Sequence, residues 1–194
     1  KINYQLYILL KSNIFVFEPQ DWAAVIAYEE TKEFGNVFVY HYGLGVESGK
    51  FEMEEFGTDG ASFVLGRSQR LQSGEGSLVD MVEWLKVNKV EKIDLVMMNI
   101  EGYEFKLIPY MIEHGILQRV KYFMCQFHPK DWEQGEEYEA LRKQLGEIMD
   151  VHFDYGIVLM CWKARENAEG IVMNDELGSG EKKKTVRKSR KKAE

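Results

Sequence analysis

Residues 93–104, Ile-Asp-Leu-Val-Met-Met-Asn-Ile-Glu-Gly-Tyr-Glu, decide how this chain is read. The apolar first half has the length and composition of a strand buried on both faces, which is the habit of parallel sheets. It stops abruptly in Asn99, Glu101, Gly102 and Glu104. Polar side chains do not stay unpaired inside such a layer, so they gather where it opens to water. In open α/β sheets ligands bind at that carboxyl end of the strands. Asn99 and Glu101 are therefore expected at a site, placed there by a rigid strand.

Outward from this segment, strands and helices alternate. Residues 13–18 (NIFVFE) form a short strand stopped by Pro19. Asp21 is a plausible N-cap for a helix reaching about Phe34, closed by Gly35 and Asn36. Residues 37–42 (VFVYHY) are the next strand. Gly43, Gly45 and Gly49 invite comparison with the dinucleotide fingerprint, but the third glycine falls one position late. The segment that follows, residues 50–56, alternates like a strand, so a hairpin turn is the better reading. Residues 57–76 are glycine-rich and read as an ordered loop with a short strand. Ser77 would cap a helix to Lys89. After the strand from Ile93 come a helix over about 103–114, a buried strand over 120–127 and an amphipathic helix over 133–149. Two last strands, about 151–155 and 157–162, join at Gly156. Residues 1–11 suit the end of a helix. This order predicts an α/β fold with a mostly parallel sheet and an antiparallel edge strand.

The formal net charge is -7, spread unevenly. The tail from Glu181 to Glu194 holds eight basic and two acidic residues, giving +6 and leaving -13 on the rest. An acidic body argues against a nucleic-acid groove on the folded part. From about Asn167 apolar periodicity disappears, so the chain divides into a domain over 1–166 and a disordered basic tail over 167–194. The tail has the composition to contact an acidic partner, an anionic membrane or nucleic acid, or to remain simply solvated. Cys125 and Cys161 lie in apolar runs and read as reduced, buried thiols of a cytoplasmic protein. No stretch approaches the ~20 apolar residues needed to span a bilayer.

Glu18 ends its strand where a carboxylate can accept both hydroxyls of a ribose, although a solvated carboxylate before a proline is the competing reading. Glu101, at its strand exit, suits either a base or a carboxylate in a helix first turn. Glu104, a turn further, reads rather as a first-turn helix residue. His128 ends the neighbouring strand, where adjacent tips stand about 5 Å apart. It is thus placed to take a proton from a hydroxyl near Glu101, or to be an ordinary hydrogen-bonded strand-end histidine. Glu101, Glu104 and His128 lack a compact metal signature. His41, His114 and His152 read as structural or exposed. Trp132 is placed to wall a substrate pocket.

The segments NIFVFEPQ, NVFVYHYGLGVESGKFEM, IDLVMMNIEGYEFKLIPYMIEHGIL and VKYFMCQFHP resemble the FkbM family of S-adenosylmethionine-dependent methyltransferases, over most of residues 13–163. The specific part is Asn99-x-Glu101-Gly102-x-Glu104 followed, one helix and strand later, by Gln126-Phe127-His128. Many members carry Asp at the place of Asn99, and a subgroup carries Asn with the same Gln-x-His ending. The resemblance implies a Rossmann-like class I fold of seven strands whose last hairpin is antiparallel. It implies S-adenosyl-L-methionine as cofactor and O-methylation of a hydroxyl on a sugar or other small metabolite. By the same analogy Glu18 holds the cofactor ribose, and Gly43 and Leu44 line the adenine side. Asp59 and Ser62 lie in a loop near the cofactor. Asn99, Glu101 and His128 face the methionine end and the acceptor. The family's first strand and glycine-rich turn would precede Lys1, so the chain is expected to be N-terminally truncated. A non-catalytic remnant of the fold serving as a binding module is the alternative.

Overall fold

The computed structural model describes residues 12–66, 73–129 and 132–165, without the side chains of 132–134. The helix end read at 1–11, the tail from 167 and the Trp132 side chain lie outside the described residues. What is described is a mixed α/β fold with parallel and antiparallel strand pairs in three ladders.

The first ladder pairs β1 (Ile14–Phe17) in parallel with β2 (Val37–Tyr40). Parallel neighbours need a crossover, supplied by α1 (Asp21–Thr31). Its N-cap is Gln20, not Asp21, and the Gln20 side chain caps no backbone N–H of the helix. The Gln20 amide is committed elsewhere, to Gly57 and Thr58.

The second ladder corrects two expectations. Its strands are β3 (Gly43–Gly45), β4 (Gly49–Glu54) and β5 (Ser73–Asp80), in the order β3-β5-β4. No hairpin turn joins residues 37–42 to 50–56. Instead β3 runs parallel and β4 antiparallel to the same strand, β5. Residues 73–80 are a strand where loop and then helix were expected. Glycine serves close packing here: a Cβ on Gly74 would lie 2.2 Å from the Phe56 ring, and one on Gly76 2.5 Å from Met53 Sδ.

The helix α2 (Met81–Val87) therefore starts later than expected, and its cap is Asp80, not Ser77. Asp80 Oδ1 accepts the Glu83 N–H at 2.8 Å, and Oδ2 accepts the Tyr110 hydroxyl at 2.5 Å. Asp80→Ala removes a cap worth about 1–2 kcal/mol and a charged hydrogen bond besides. We expect a loss of about 2–3 kcal/mol, readable as a fall in Tm. Trp84 of α2 lies edge-on to Phe17 at 4.9 Å and to Phe15 at 5.3 Å, and its Nε1 donates to the Tyr42 hydroxyl. One tryptophan thus packs α2 against the β1–β2 face.

The third ladder, β6-β7-β9-β8, is built from β6 (Ile93–Met98), β7 (Val120–Cys125), β8 (Met149–Asp154) and β9 (Met160–Ala164). β6 and β7 are parallel, joined through α3 (Glu104–Glu113), and β7, β9 and β8 are antiparallel. The helix α4 (Trp132–Ile148) leads into the edge strand β8. Ile108, Met111, Phe123, Leu145, Met160 and Trp162 are wholly inside the core. β6 is not buried on both faces as its apolar run suggested. Met98 is buried, whereas Leu95 is 42% and Met97 70% exposed. Successive side chains point to opposite faces, and only one face of β6 is covered by described residues. None of the described helices is long and apolar enough to cross a membrane.

Candidate functional site

β6 and β7 end together, with Met98 opposite Cys125 and the Gln126 N–H extending the ladder to the Met98 carbonyl at 3.0 Å. Beyond this pair the chain from β6 turns sharply: Glu101 has φ +52° and Gly102 φ +97°. A left-handed backbone is costly for a residue with a Cβ, and such strain gathers at functional positions. The turn sets α3 so that its first residue, Glu104, faces β7. His128, three residues past β7, is thereby held between two carboxylates. Its Nδ1 lies 2.8 Å from Glu104 Oε1, and its Nε2 lies 3.3 Å from Glu101 Oε1.

The two carboxylates differ in setting. Glu104 is 0% exposed. Its Oε1 also accepts the Ile100 N–H at 3.2 Å, while Oε2 is buried without a partner among the described residues. Burial pushes the nearby Cys125 thiol well up, and the Glu104 charge adds to the shift, so Cys125 stays an unreactive thiol. Glu101 is only partly buried and stands on the outer side of the imidazole. The closer contact, with the buried Glu104, orients the ring, and Nε2 faces the outer, partly exposed carboxylate. This is an inner orienting group, a histidine and an outer carboxylate in series.

Sequence reasoning placed Glu101 and His128 together, and the structure brings them into contact. It read Glu104 as a first-turn helix residue, and that carboxylate lies closer to the imidazole than Glu101 does. Asn99 is exposed just beyond β6. His41 contacts Asp21 at the surface, and His114 Nδ1 lies 3.0 Å from the Tyr110 carbonyl. Each nitrogen of His128 faces its own carboxylate, and among the described residues no three metal-ligating side chains form a group able to hold a metal.

The loop after β4 reaches this centre. Ser62 is buried, donates its hydroxyl to the Glu101 carbonyl at 2.6 Å and accepts the Val64 N–H at 3.0 Å. Asp59 is exposed in the same loop. Gly43 and Leu44 lie in β3. A Cβ on Gly43 would come within 2.7 Å of Leu78, so the glycine makes room for a core leucine. A groove between α1 and β2, lined by Tyr28, Lys32, Phe38 and Tyr40 among others, includes none of Glu101, Glu104 and His128.

No family model, curated protein or solved structure matches this chain. What the site can do follows from its own geometry.

Glu18 follows β1, and its Oε1 accepts the Gln20 N–H at 2.8 Å. Burial raises its pKa, only partly opposed by that hydrogen bond and by His41. The carboxylate is thus held in place at a cost, with no cation in contact among the described residues. The sign of the pH effect follows. Well below the ordinary carboxyl pKa both folded and unfolded chains hold the proton, and the group is neutral in its effect. As pH rises, the unfolded chain ionises first, so stability falls across the window above 4.5. Glu18→Gln cannot ionise and keeps an oxygen for Gln20. We expect its Tm to exceed the parent's at pH 7 and the difference to vanish near pH 4 in thermal melts.

Proposed function

We propose that the chain is a methyltransferase domain of the FkbM type, which binds S-adenosyl-L-methionine and methylates a hydroxyl on a sugar or small metabolite. The single observation that carries the reading is His128 suspended between Glu104 and Glu101 at the tips of two adjacent parallel strands. The ladders β2-β1 and β6-β7-β9-β8 support it. The first is a parallel pair, and the second begins parallel at β6-β7 and closes antiparallel at β9-β8.

When bound, the cofactor supplies a methyl group on a sulfonium, an electrophile that needs a deprotonated or deprotonating hydroxyl in line with it. His128 Nε2 takes the hydroxyl proton. Glu104 holds Nδ1–H and fixes the ring, as the inner member of an acid–base triad does. Glu101 Oε1 then lies beside the newly protonated Nε2 and balances the imidazolium charge. Glu18 accepts hydrogen bonds from the ribose, and the exposed Asn99 stands at the entrance for the acceptor.

Calorimetry with S-adenosylhomocysteine tests this. One saturable site is expected in the parent. In Glu18→Gln, with the charge lost from the acceptor, affinity should fall about 10-fold or more. Absence of binding to the folded parent would remove the cofactor, and with it the reading.

A further inference from the structure

Glu18 and His128 belong to different ladders, yet one chain of hydrogen bonds runs between them. Gln20 donates its backbone N–H to Glu18. Its side chain is buried and bonded through both amide atoms: Oε1 accepts the Gly57 N–H at 2.8 Å and the Trp22 Nε1–H at 3.2 Å, and Nε2 donates to the Thr58 carbonyl at 3.0 Å. Gly57 and Thr58 open the loop that ends at Ser62, which is pinned to β4 by two backbone bonds with Glu54 at 2.9 and 3.0 Å. The Ser62 hydroxyl then holds the carbonyl of Glu101, the residue with the left-handed backbone. Glu101 in turn meets His128 Nε2.

We infer that Gln20 and Ser62 are positioning residues that couple occupancy of Glu18 to the geometry of the Glu101–His128 pair. Glu101 sits in a sparsely populated backbone region, and it keeps that conformation only while its surroundings impose it. The 2.6 Å bond from Ser62 is the contact from the loop that does so. At the other end, a ligand that draws Glu18 into new hydrogen bonds shifts the backbone of Gln20, and with it the two loop residues that the Gln20 amide grips. The loop transmits that shift because both its ends are bonded, at Gln20 and at Glu54. Coupling of this kind is reciprocal: a ligand at His128 must change affinity at Glu18 by the same factor.

The role of this coupling in catalysis rests on the methyltransferase reading, but the coupling itself is tested without it. The imidazole ¹H–¹⁵N spectrum of the full chain reports the His128 ring, assigned by its loss in His128→Gln. Ser62→Ala and Gln20→Ala should each displace the His128 resonances, and Ser62→Thr, which keeps the hydroxyl, should restore them. Gln20→Glu retains the acceptor for Gly57 and loses the donor to Thr58. It serves as a milder variant should Gln20→Ala unfold, and it too should displace the resonances. Variants that melt cooperatively but leave the His128 resonances at the parent's positions would overturn the coupling. S-adenosylhomocysteine provides the second arm. Added to the parent it should move the His128 resonances, and in Gln20→Ala it should bind without moving them. If it binds and moves them equally in both, the coupling is wrong. If it does not bind the parent while the Ser62 and Gln20 variants still displace His128, the coupling stands and the cofactor reading fails.

Discussion

Replacing His128 with alanine is expected to slow methyl transfer by about 10²–10⁴-fold, the usual contribution of a positioned general base. The effect should appear in turnover more than in affinity for S-adenosylhomocysteine, because in the proposed reading the ring acts on the acceptor hydroxyl and not on the cofactor. Glu104→Ala should cost a similar factor although Glu104 is wholly buried and cannot reach a substrate. Its action passes through the 2.8 Å contact with Nδ1. Residues acting as one unit are not additive, so the double variant should be little slower than His128→Ala alone. Multiplicative losses would mean that Glu104 acts independently of the ring. Glu104→Gln refines the test. It can still accept from Nδ1–H and from the Ile100 N–H, but it carries no charge to balance an imidazolium. A rate between the parent and Glu104→Ala is expected. Formation of S-adenosylhomocysteine over time measures all four, with Tm showing that each variant is folded.

Much of this arrangement was legible in the sequence, and the misreadings have identifiable causes. The strand at Ile93 was found because an apolar run of that length has few other uses. Its burial on both faces was not readable, since a run of apolar residues says nothing about whether a second layer covers Leu95 and Met97. Residues 73–80 were missed because Gly74 and Gly76 are ordinarily turn residues. Here they are the positions where Phe56, Met53 and Phe63 cross over the strand, a fact of tertiary packing. The true helix start nearby was legible as Asp80 followed three residues later by Glu83, a capping pattern that Ser77 obscured. Glu18, Glu101 and His128 were visible because each lies just past the end of a strand. Glu104 was not, because a carboxylate in a helix first turn already has a sufficient reason in the helix dipole. Only the turn at Glu101 and Gly102, which swings α3 toward β7, gives it a second one.

Trp162→Ala should be the most damaging single change to stability, while Trp162→Phe should be mild. Trp162 sits at the middle of β9 with no exposed surface, stacked on Phe123 at 5.6 Å and edge-on to Phe127 at 6.1 Å. Phe127 precedes His128 and also packs on Phe105, which follows Glu104. Truncation to alanine loses a large apolar surface and leaves a cavity that a sheet bonded on both sides of β9 cannot close. A cost of about 3–5 kcal/mol is expected, with a Tm lower by about 6–20 °C. Phenylalanine keeps most of the stacking. It also removes Nε1, a buried donor with no partner among the described residues. An unsatisfied buried N–H costs about 1–3 kcal/mol, so shedding it offsets part of the lost area. The two substitutions should therefore differ by about 2 kcal/mol or more, on the scale of a buried aromatic truncation. Equal losses would mean that Nε1 is bonded in solution, for example through a buried water. Because Phe127 and Phe105 are sequence neighbours of His128 and Glu104, Trp162→Ala should also displace the His128 imidazole resonances, whereas Trp162→Phe should leave them in place. A stable alanine variant with parent-like His128 signals would show that the Glu101–His128–Glu104 cluster is held by its strand tips alone, independently of the core beneath it.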